Sequence, residues 1–304
     1  MSLLLVRGAL EQGLIYSLVA LGLYLSFRTL SIADLTVDGS FTLGAAVSAS
    51  FTAAGHPYAA IPAAMFAGAL AGLTTALLQT RMKVQSILAG IITMTALYSV
   101  NLRVLGGRSN LTLLRLETIF STVKKVLPIF LQPWSKLITA AVIAVLIALL
   151  LALFLRTRLG LSIRATGDNP RMVSASSIDP RVTITVGLCI SNSLPALSGA
   201  LIAQYQQFCD ITMGTGMVVI GLASLIIGEV LIGAHHFPSV KRGIAAAILG
   251  GSIYWIIIAS AISSSISAND LKLLSAIIVA AAISWPTIID HVKFEMKKRA
   301  NRKC

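Results

Sequence analysis

Apolar runs of about 20 residues recur along this 304-residue chain, and they constrain its fold more than any other feature. Inside a bilayer the backbone must satisfy its own hydrogen bonds, so each run is predicted to be a helix. The runs lie at roughly 8–28, 31–53, 57–80, 84–106, 137–156, 181–206, 214–234, 243–264 and 272–289. The sequence therefore predicts an all-α, polytopic membrane helix bundle of about nine transmembrane helices, within a range of eight to ten.

Composition excludes a soluble globular domain. Of all residues, 56% are hydrophobic and only 12% are charged, which lies far from the balance of soluble proteins. No polar segment is long enough to form a separate soluble domain. We therefore predict one transmembrane domain over residues 1–304.

Basic residues predict the orientation. The densest cluster is the tail that contains Lys297, Lys298 and Arg299, so the positive-inside bias places the C-terminus in the cytoplasm. Counting spans backwards puts Lys241 and Arg242 and the 157–179 segment on the same side, and the short N-terminus outside. The net charge of +13 then reflects topology and lipid contact, not nucleic-acid binding.

The 157–179 segment, TRLGLSIRATGDNPRMVSASSID, is a polar connection between two apolar runs. Asp168 or Asn169 can cap a helix that begins at Pro170, and Asp179 before Pro180 repeats this arrangement. A short, capped, basic helix is typical of a surface that contacts a partner protein. A solvated connecting loop is the alternative interpretation.

The 107–136 segment is basic although the count of spans places it outside. Its positive charges are set against Glu117 alone, and they are Arg108, Arg115, Lys124, Lys125 and Lys136. Apolar residues interleave with these charges, as in a segment that lies along the membrane surface. The segment either packs on lipid or serves as a docking platform for an acidic external partner.

Carboxylates inside the predicted spans are the best internal indication of function. Asp34 and Asp38 lie one helical turn apart and share a helix face. Asp34 fits a capping box that begins at Ser31, and Arg28 is close enough to pair with it. Asp38 has no local capping role, so we expect it to face the protein interior or a water-filled pathway. Glu229 is a further carboxylate inside a predicted span, but it lies nearer the cytoplasmic end of that span.

Small residues predict where two helices pack closely. Gly68 and Gly72 form a G-x-x-x-G pattern that permits close helix contact.

Motifs of the common enzyme classes are missing from the sequence. It has no G-x-x-x-x-G-K-[ST] phosphate loop, no spacing of cysteines that suggests zinc, and no nucleophile–base pattern. We therefore do not expect an enzyme.

Two motifs carry a resemblance to a known family. The pattern T-R-x-G-x-x-x-R-A-x-G-x-N-P resembles the cytoplasmic coupling loop of ABC-importer permeases of the branched-chain amino acid and ribose family. It consists here of Thr157, Arg158, Gly160, Arg164, Ala165, Gly167, Asn169 and Pro170. The stretch ADLTVDGS around Asp34 is similar to a motif of the sugar members, from which it departs by the extra Asp38. The resemblance covers residues from about 10 to 290.

The resemblance implies an importer subunit that moves a small polar solute, such as an amino acid, across a bacterial plasma membrane into the cytoplasm. Such permeases work in pairs, with cytoplasmic ATPase subunits and an external substrate-binding protein. It implies no cofactor in this chain, since the partner ATPase binds ATP and Mg²⁺. The sequence ADLTVDGS is most similar to the corresponding stretch of permeases that are paired with aromatic amino acid binding proteins.

The resemblance also implies roles for particular residues. Coupling to the ATPase would use Arg158, Gly160, Arg164, Ala165, Gly167, Asp168, Asn169, Pro170 and Arg171. Asp34 and Asp38 are predicted to belong to the translocation pathway from their position inside a span, independently of the resemblance. Docking of the binding protein would use Arg108, Arg115, Lys124 and Lys125.

Two other classes compete with this interpretation. An ion-coupled secondary transporter would use Asp34, Asp38 and Glu229 as a proton or sodium relay, and it often shows an inverted repeat in its hydropathy. No clear repeat is visible in this sequence. A membrane scaffold without a transport role would leave Asp38 unexplained.

Overall fold

The computed structural model describes residues 3–232 and 239–263, together with 273, 276, 277, 279–281 and 284. Its long helices are α1 (Leu3–Leu23), α2 (Thr36–Ala53), α3 (Ala60–Thr80), α4 (Ser86–Val104), α6 (Ser135–Phe154), α9 (Pro180–Gln206), α10 (Met217–Ile232) and α11 (Val240–Ser263). Shorter helices are α5 (Ile119–Val126), α7 (Arg158–Asp168) and α8 (Pro170–Ala175). The all-α prediction is confirmed.

Two three-residue strands tie the 107–136 segment to the bundle. Strand β1 (Asn110–Thr112) pairs antiparallel with β2 (Phe208–Asp210), with Leu111 opposite Cys209. The Cys209 thiol is fully buried here, and its burial raises its pKa to about 12. The segment is thereby anchored directly after the end of α9.

Six helical segments of the described chain are long and apolar enough to cross a membrane. They are Leu4–Thr29, Ala60–Thr80, Ser86–Val104, Ile129–Phe154, Pro180–Gln206 and Val240–Ser263. A membrane helix bundle is thus supported, whereas the prediction of nine spans is not confirmed. The ninth predicted run, 272–289, falls mostly outside the described residues.

The difference between the nine predicted spans and the six found in the described residues comes mainly from α2 and α10. Helix α2 has 18 residues, most of them buried against other helices, and many are Ser, Thr or Gly. Helix α10 has 16 residues, which at ~1.5 Å per residue give about 24 Å, less than the ~30 Å of a hydrocarbon core. Helix α2 is mostly enclosed by protein, so its sequence is not selected for contact with lipid, whereas α10 differs from the other apolar helices by its length.

Helix α9 lies at the centre of the bundle and packs against α1, α2 and α3. An added Cβ at Gly68 would lie 2.6 Å from the Asn192 carbonyl oxygen, and one at Gly72 would lie 2.2 Å from that of Leu188. These spaces are too small for any side chain. The predicted close helix contact through Gly68 and Gly72 is confirmed, and α9 is the partner.

The chain is not helical between α1 and α2. Helix α1 ends in a π-helical turn, Tyr24–Thr29, and α2 begins only at Thr36. The capping box predicted from Ser31 to Asp34 is therefore wrong, because Asp34 precedes the helix and Ser31 has a φ of 57°. A π-helical turn next to an extended segment is typical of a functional break in a helix.

From Leu3 onward the described chain belongs to α1. Arg7 and Glu11, one helical turn apart, pair at 3.3 Å. The Tyr205 hydroxyl of α9 donates a second contact to Glu11 at 2.8 Å. Glu11 is buried, with 3% of its surface exposed, so this pair fixes the start of α1 against the end of α9.

Candidate functional site

Asp34 joins the broken connection to the middle of α9. Its Oδ1 accepts the backbone N–H of Thr36 at 2.9 Å, and its Oδ2 accepts the Asn192 amide at 2.6 Å. The Asn192 carbonyl in turn accepts the Ser40 hydroxyl at 2.7 Å. All these groups are buried. A buried, fully paired network of this kind fixes one arrangement of α2 on α9.

Asp38 caps a helix that begins 179 residues later. Its two carboxylate oxygens accept the backbone N–H groups of Gly216 at 2.9 Å and Val218 at 2.8 Å. Gly216 directly precedes α10 and has no side chain with which to cap it, so Asp38 takes over that role. Asp38 is half-buried and faces the start of α10, and its place in the translocation pathway stays a prediction. Its partner could not be found from the sequence, since capping signals are normally local.

Thr42 makes a second contact between α2 and the start of α10. Its hydroxyl oxygen accepts the N–H of Gly214 at 3.0 Å. An added Cβ at Gly214 would lie 2.0 Å from the Asp38 carbonyl oxygen. The non-helical stretch before α10 therefore packs directly on the first two turns of α2.

A cavity of about 330 Å³, which we name the Asp38 cavity, opens beside this contact. Its lining residues are Asp38, Gly39, Thr42, Met94, Thr95, Tyr98, Asn101, Ile211, Gly214 and Thr215. Asn101 is buried and donates to the Gly39 carbonyl at 3.4 Å, while its Oδ1 has no partner within the described residues. Sequence reasoning missed Asn101, which lies in an ordinary apolar run.

Arg28 pairs with Glu229, not with Asp34 as predicted. The Arg28 Nε donates to Glu229 Oε1 at 2.7 Å, and its Nη2 contacts Oε2. Glu229 is fully buried, whereas 42% of the Arg28 side chain is exposed. Asp34 lies beyond the π-helical turn and already has two donors, which explains why the predicted pair does not form.

The 157–179 segment forms two capped helices in place of one. Thr157 accepts the N–H of Gly160 at 3.2 Å and so caps α7. Asn169 accepts the N–H groups of Arg171 and Met172 and caps α8. Asp168 is the last residue of α7, so of the two predicted caps Asn169 is the one that forms. Asp179 caps α9 through the N–H of Arg181 at 2.8 Å, as predicted.

One face of the α7–α8 pair is seated on the bundle. An added Cβ at Gly167 would lie 1.9 Å from the Thr29 carbonyl oxygen, and one at Gly160 would meet the backbone of Phe154 and Leu155. The hydroxyls of Thr166 and Thr183 lie 2.8 Å apart and are buried. Helix α7 therefore rests directly on the π-helical turn that ends α1.

The opposite face of the α7–α8 pair is exposed, basic and partly apolar. Exposed residues there are Arg158, Leu159, Leu161, Arg164, Asp168, Asn169, Pro170, Arg171 and Met172, whereas Gly160 is buried and Ala165 and Gly167 are half-buried. The structure thus divides the predicted coupling residues into two groups. The glycines contact the bundle, and the arginines face outward.

The 107–136 segment carries all four predicted docking residues on its surface. Arg108, Arg115, Lys124 and Lys125 are exposed. Lys125 pairs with Glu117 at 2.5 Å, and this contact lowers the pKa of the Glu117 carboxyl. Helix α5 is anchored on its other side by the ring of Phe120, which is buried and lies 5.6 Å from that of Tyr205.

The described residues contain no group of three or more His, Cys, Asp or Glu side chains that could hold a metal ion. The histidines His235 and His236 lie outside them.

Comparison with protein families decides the class of this membrane protein. Residues 5–283 match the family described as branched-chain amino acid transport system, permease component. The chain belongs to this permease family. The permease is accordingly a multi-pass membrane protein, and the resemblance read from the two sequence motifs is confirmed.

Individual relatives agree with this assignment. The permease is 37% identical over 280 residues to a tyrosine transport system permease protein of Clostridioides difficile, which covers 92% of this chain and 90% of the relative. It is 34% identical to an uncharacterized protein of Rickettsia prowazekii, over 91% and 95% of the two chains. A probable branched-chain amino acid transport permease of Methanocaldococcus jannaschii is 26% identical, over 81% and 78%. No solved structure gives a significant match.

Proposed function

We propose that this permease is the membrane subunit of an ATP-driven importer that carries an amino acid into the cytoplasm. An aromatic amino acid is the first candidate substrate, because the relative from Clostridioides difficile is named as a tyrosine permease and the ADLTVDGS stretch is similar to permeases of that kind. ATP and Mg²⁺ belong to the partner ATPase.

The observation that carries the proposal is the seating of α7 on the end of α1. The exposed arginines of the α7–α8 pair suit an acidic protein surface, since arginine holds planar carboxylates in a bidentate geometry. The buried face contacts Thr29 through Gly167. A displacement of α7 by an ATPase would therefore press on the broken connection between α1 and α2.

The same path leads to the interior of the permease. The broken connection ends at Asp34, which is bound to α9 through Asn192. One turn later, Asp38 holds the N-terminus of α10. A shift of α2 would therefore move the start of α10 and alter the Asp38 cavity.

The proposal also assigns the remaining partners to the two sides of the permease. The side that carries α7 and α8, together with the C-terminus, faces the cytoplasm in this proposal. The exposed basic residues of the 107–136 segment face outward and receive a substrate-binding protein. A second permease copy, identical or related, completes the transport path.

The test is uptake into vesicles that contain the permease and its ATPase, with ATP enclosed and the binding protein outside. Uptake of labelled tyrosine that requires ATP, and is insensitive to proton and sodium ionophores, supports the importer. Uptake driven by an ion gradient without ATP would overturn it in favour of the secondary transporter. The structure favours that alternative less, because Glu229 is held by Arg28 in a bidentate pair.

A further inference from the structure

The Asp38 cavity is rich in hydrogen-bond acceptors. Asp38 accepts backbone N–H groups of Gly216, Met217 and Val218, although a carboxylate offers about four acceptor positions. The Asn101 Oδ1 is buried without a partner among the described residues. A buried acceptor that lacks a donor is costly, so it is normally satisfied by water or by a ligand.

No positively charged side chain balances these acceptors. None of the described residues that line the cavity is Lys, Arg or His. The N-terminus of α10 supplies a partial positive charge of roughly half a unit, which offsets only part of the Asp38 charge. A small cation with several N–H donors would supply both the missing charge and the missing donors.

We propose that the Asp38 cavity binds the ammonium group of the transported amino acid during its passage, with Asp38 and Asn101 as acceptors. This inference rests on the proposed function, since it assigns the substrate contact inside the permease. Met94, Ile211 and the ring of Tyr98 form the apolar part of the lining and contact the substrate side chain. A volume of about 330 Å³ lies at the small end of ligand pockets and suits one amino acid, not a peptide.

The test uses a cysteine placed in the cavity wall. Thr95 lines the cavity and is exposed, so a Thr95→Cys variant is open to a thiol-directed maleimide. Cys189, Cys209 and Cys304 are first replaced by alanine. Val100→Cys is the matched control, because Val100 lies on the same helix and is exposed but does not line the cavity.

Three probes that share a phenyl ring show whether the cavity recognises the ammonium or the carboxylate of an amino acid. Phenylalanine carries the ammonium and the carboxylate, phenethylamine only the ammonium, and 3-phenylpropionate only the carboxylate. We expect the first two to slow labelling of Thr95→Cys and the third to leave it unchanged. Labelling of Val100→Cys stays constant with all three. Protection by 3-phenylpropionate equal to that by phenylalanine, or no protection by any probe, would overturn the proposal.

Asn101→Leu tests the acceptor without removing the cap on α10. A hydrogen bond to a charged group contributes ~1.5–3 kcal/mol, so the phenethylamine concentration needed for protection should rise at least about tenfold. An unchanged concentration excludes Asn101 from the site and overturns the proposal as stated. Labelling requires no ATP, so protection that persists when ATP-driven uptake fails would remove the importer proposal but leave the site.

Discussion

The guanidinium of Arg28 and the carboxylate of Glu229 form a bidentate ion pair between the end of α1 and α10. Glu229 is fully buried, so Arg28 is the cation that keeps this carboxylate compatible with a protein interior. The pair lies on the π-helical turn that α7 also contacts. It therefore joins α10 to the place where the proposed partner ATPase would act.

Arg28→Ala should destabilise the permease by about 3 kcal/mol, because it leaves a buried carboxylate without its partner. The measurement is thermal or denaturant unfolding in detergent. Adding Glu229→Leu to Arg28→Ala should restore much of the loss, since the unpaired charge is then gone. Lys125→Ala is the control, because it breaks an exposed pair that contributes little. Equal losses in the Arg28 and Lys125 variants would contradict a structural role for the buried pair.

Asp38→Asn should lower uptake about tenfold at equal amounts of assembled permease. The amide retains only one acceptor oxygen, so a cap contact of ~1 kcal/mol on α10 is lost together with the charge. Uptake per assembled permease, compared with that of Asp34→Asn, is the measurement. Wild-type uptake in both variants would refute the role of Asp38.

Asp34→Asn should mainly reduce stability. Its new amide group would face the amide of Asn192, whose carbonyl is already occupied by Ser40. Two buried donors in contact cost ~1–3 kcal/mol. Denaturant unfolding of the variant measures this loss, and unchanged stability would show that the network tolerates rearrangement.

Arg164→Ala combined with Asn169→Ala should uncouple the transporter. The first change removes an exposed charge from the docking face, and the second removes the cap of α8, which typically contributes ~1 kcal/mol. We expect uptake to fall while the permease still folds and the ATPase still binds ATP. Hydrolysis and uptake are measured side by side in vesicles. If both stay at wild-type levels, the 157–179 segment is only a connector.

Gly167→Ala should separate α7 from the π-helical turn. The new methyl group would meet the backbone carbonyl of Thr29, which cannot move without shifting the chain. We expect reduced uptake and reduced stability of the permease. Gly8→Ala is the matched control, since an added Cβ there meets nothing within 4 Å. Similar effects of both changes would argue against the contact.

Lys124→Glu with Lys125→Glu should weaken docking of the substrate-binding protein and flatten its salt dependence. Exposed charges act over a Debye length of ~8 Å at physiological salt. The affinity of the binding protein is measured at several ionic strengths. An affinity that is unchanged at every salt concentration would leave only the lipid-packing interpretation of the 107–136 segment.

The sequence by itself determined the class of the protein and its local caps. Long apolar runs can only form helices in a bilayer, and the Asn169 and Asp179 caps follow from residues beside the helices that they begin. The exposure of the basic residues was also predictable, because an unpaired charge remains in water. The sequence also predicted that a helix packs closely on Gly68 and Gly72, but not that this helix is α9.

Only the tertiary structure decided which distant residues meet. Arg28 lies 201 positions from Glu229, and Asp38 lies 178 positions from Gly216, so no local pattern encodes either contact. Hydropathy predicted nine spans, whereas six helical segments of the described residues are long and apolar enough, because α2 is polar and mostly enclosed by protein and α10 is short. Apolar helices of similar composition can pack in many pairings. The pairing in this protein is fixed by close contacts at glycines and by a few buried polar groups that must find partners in three dimensions.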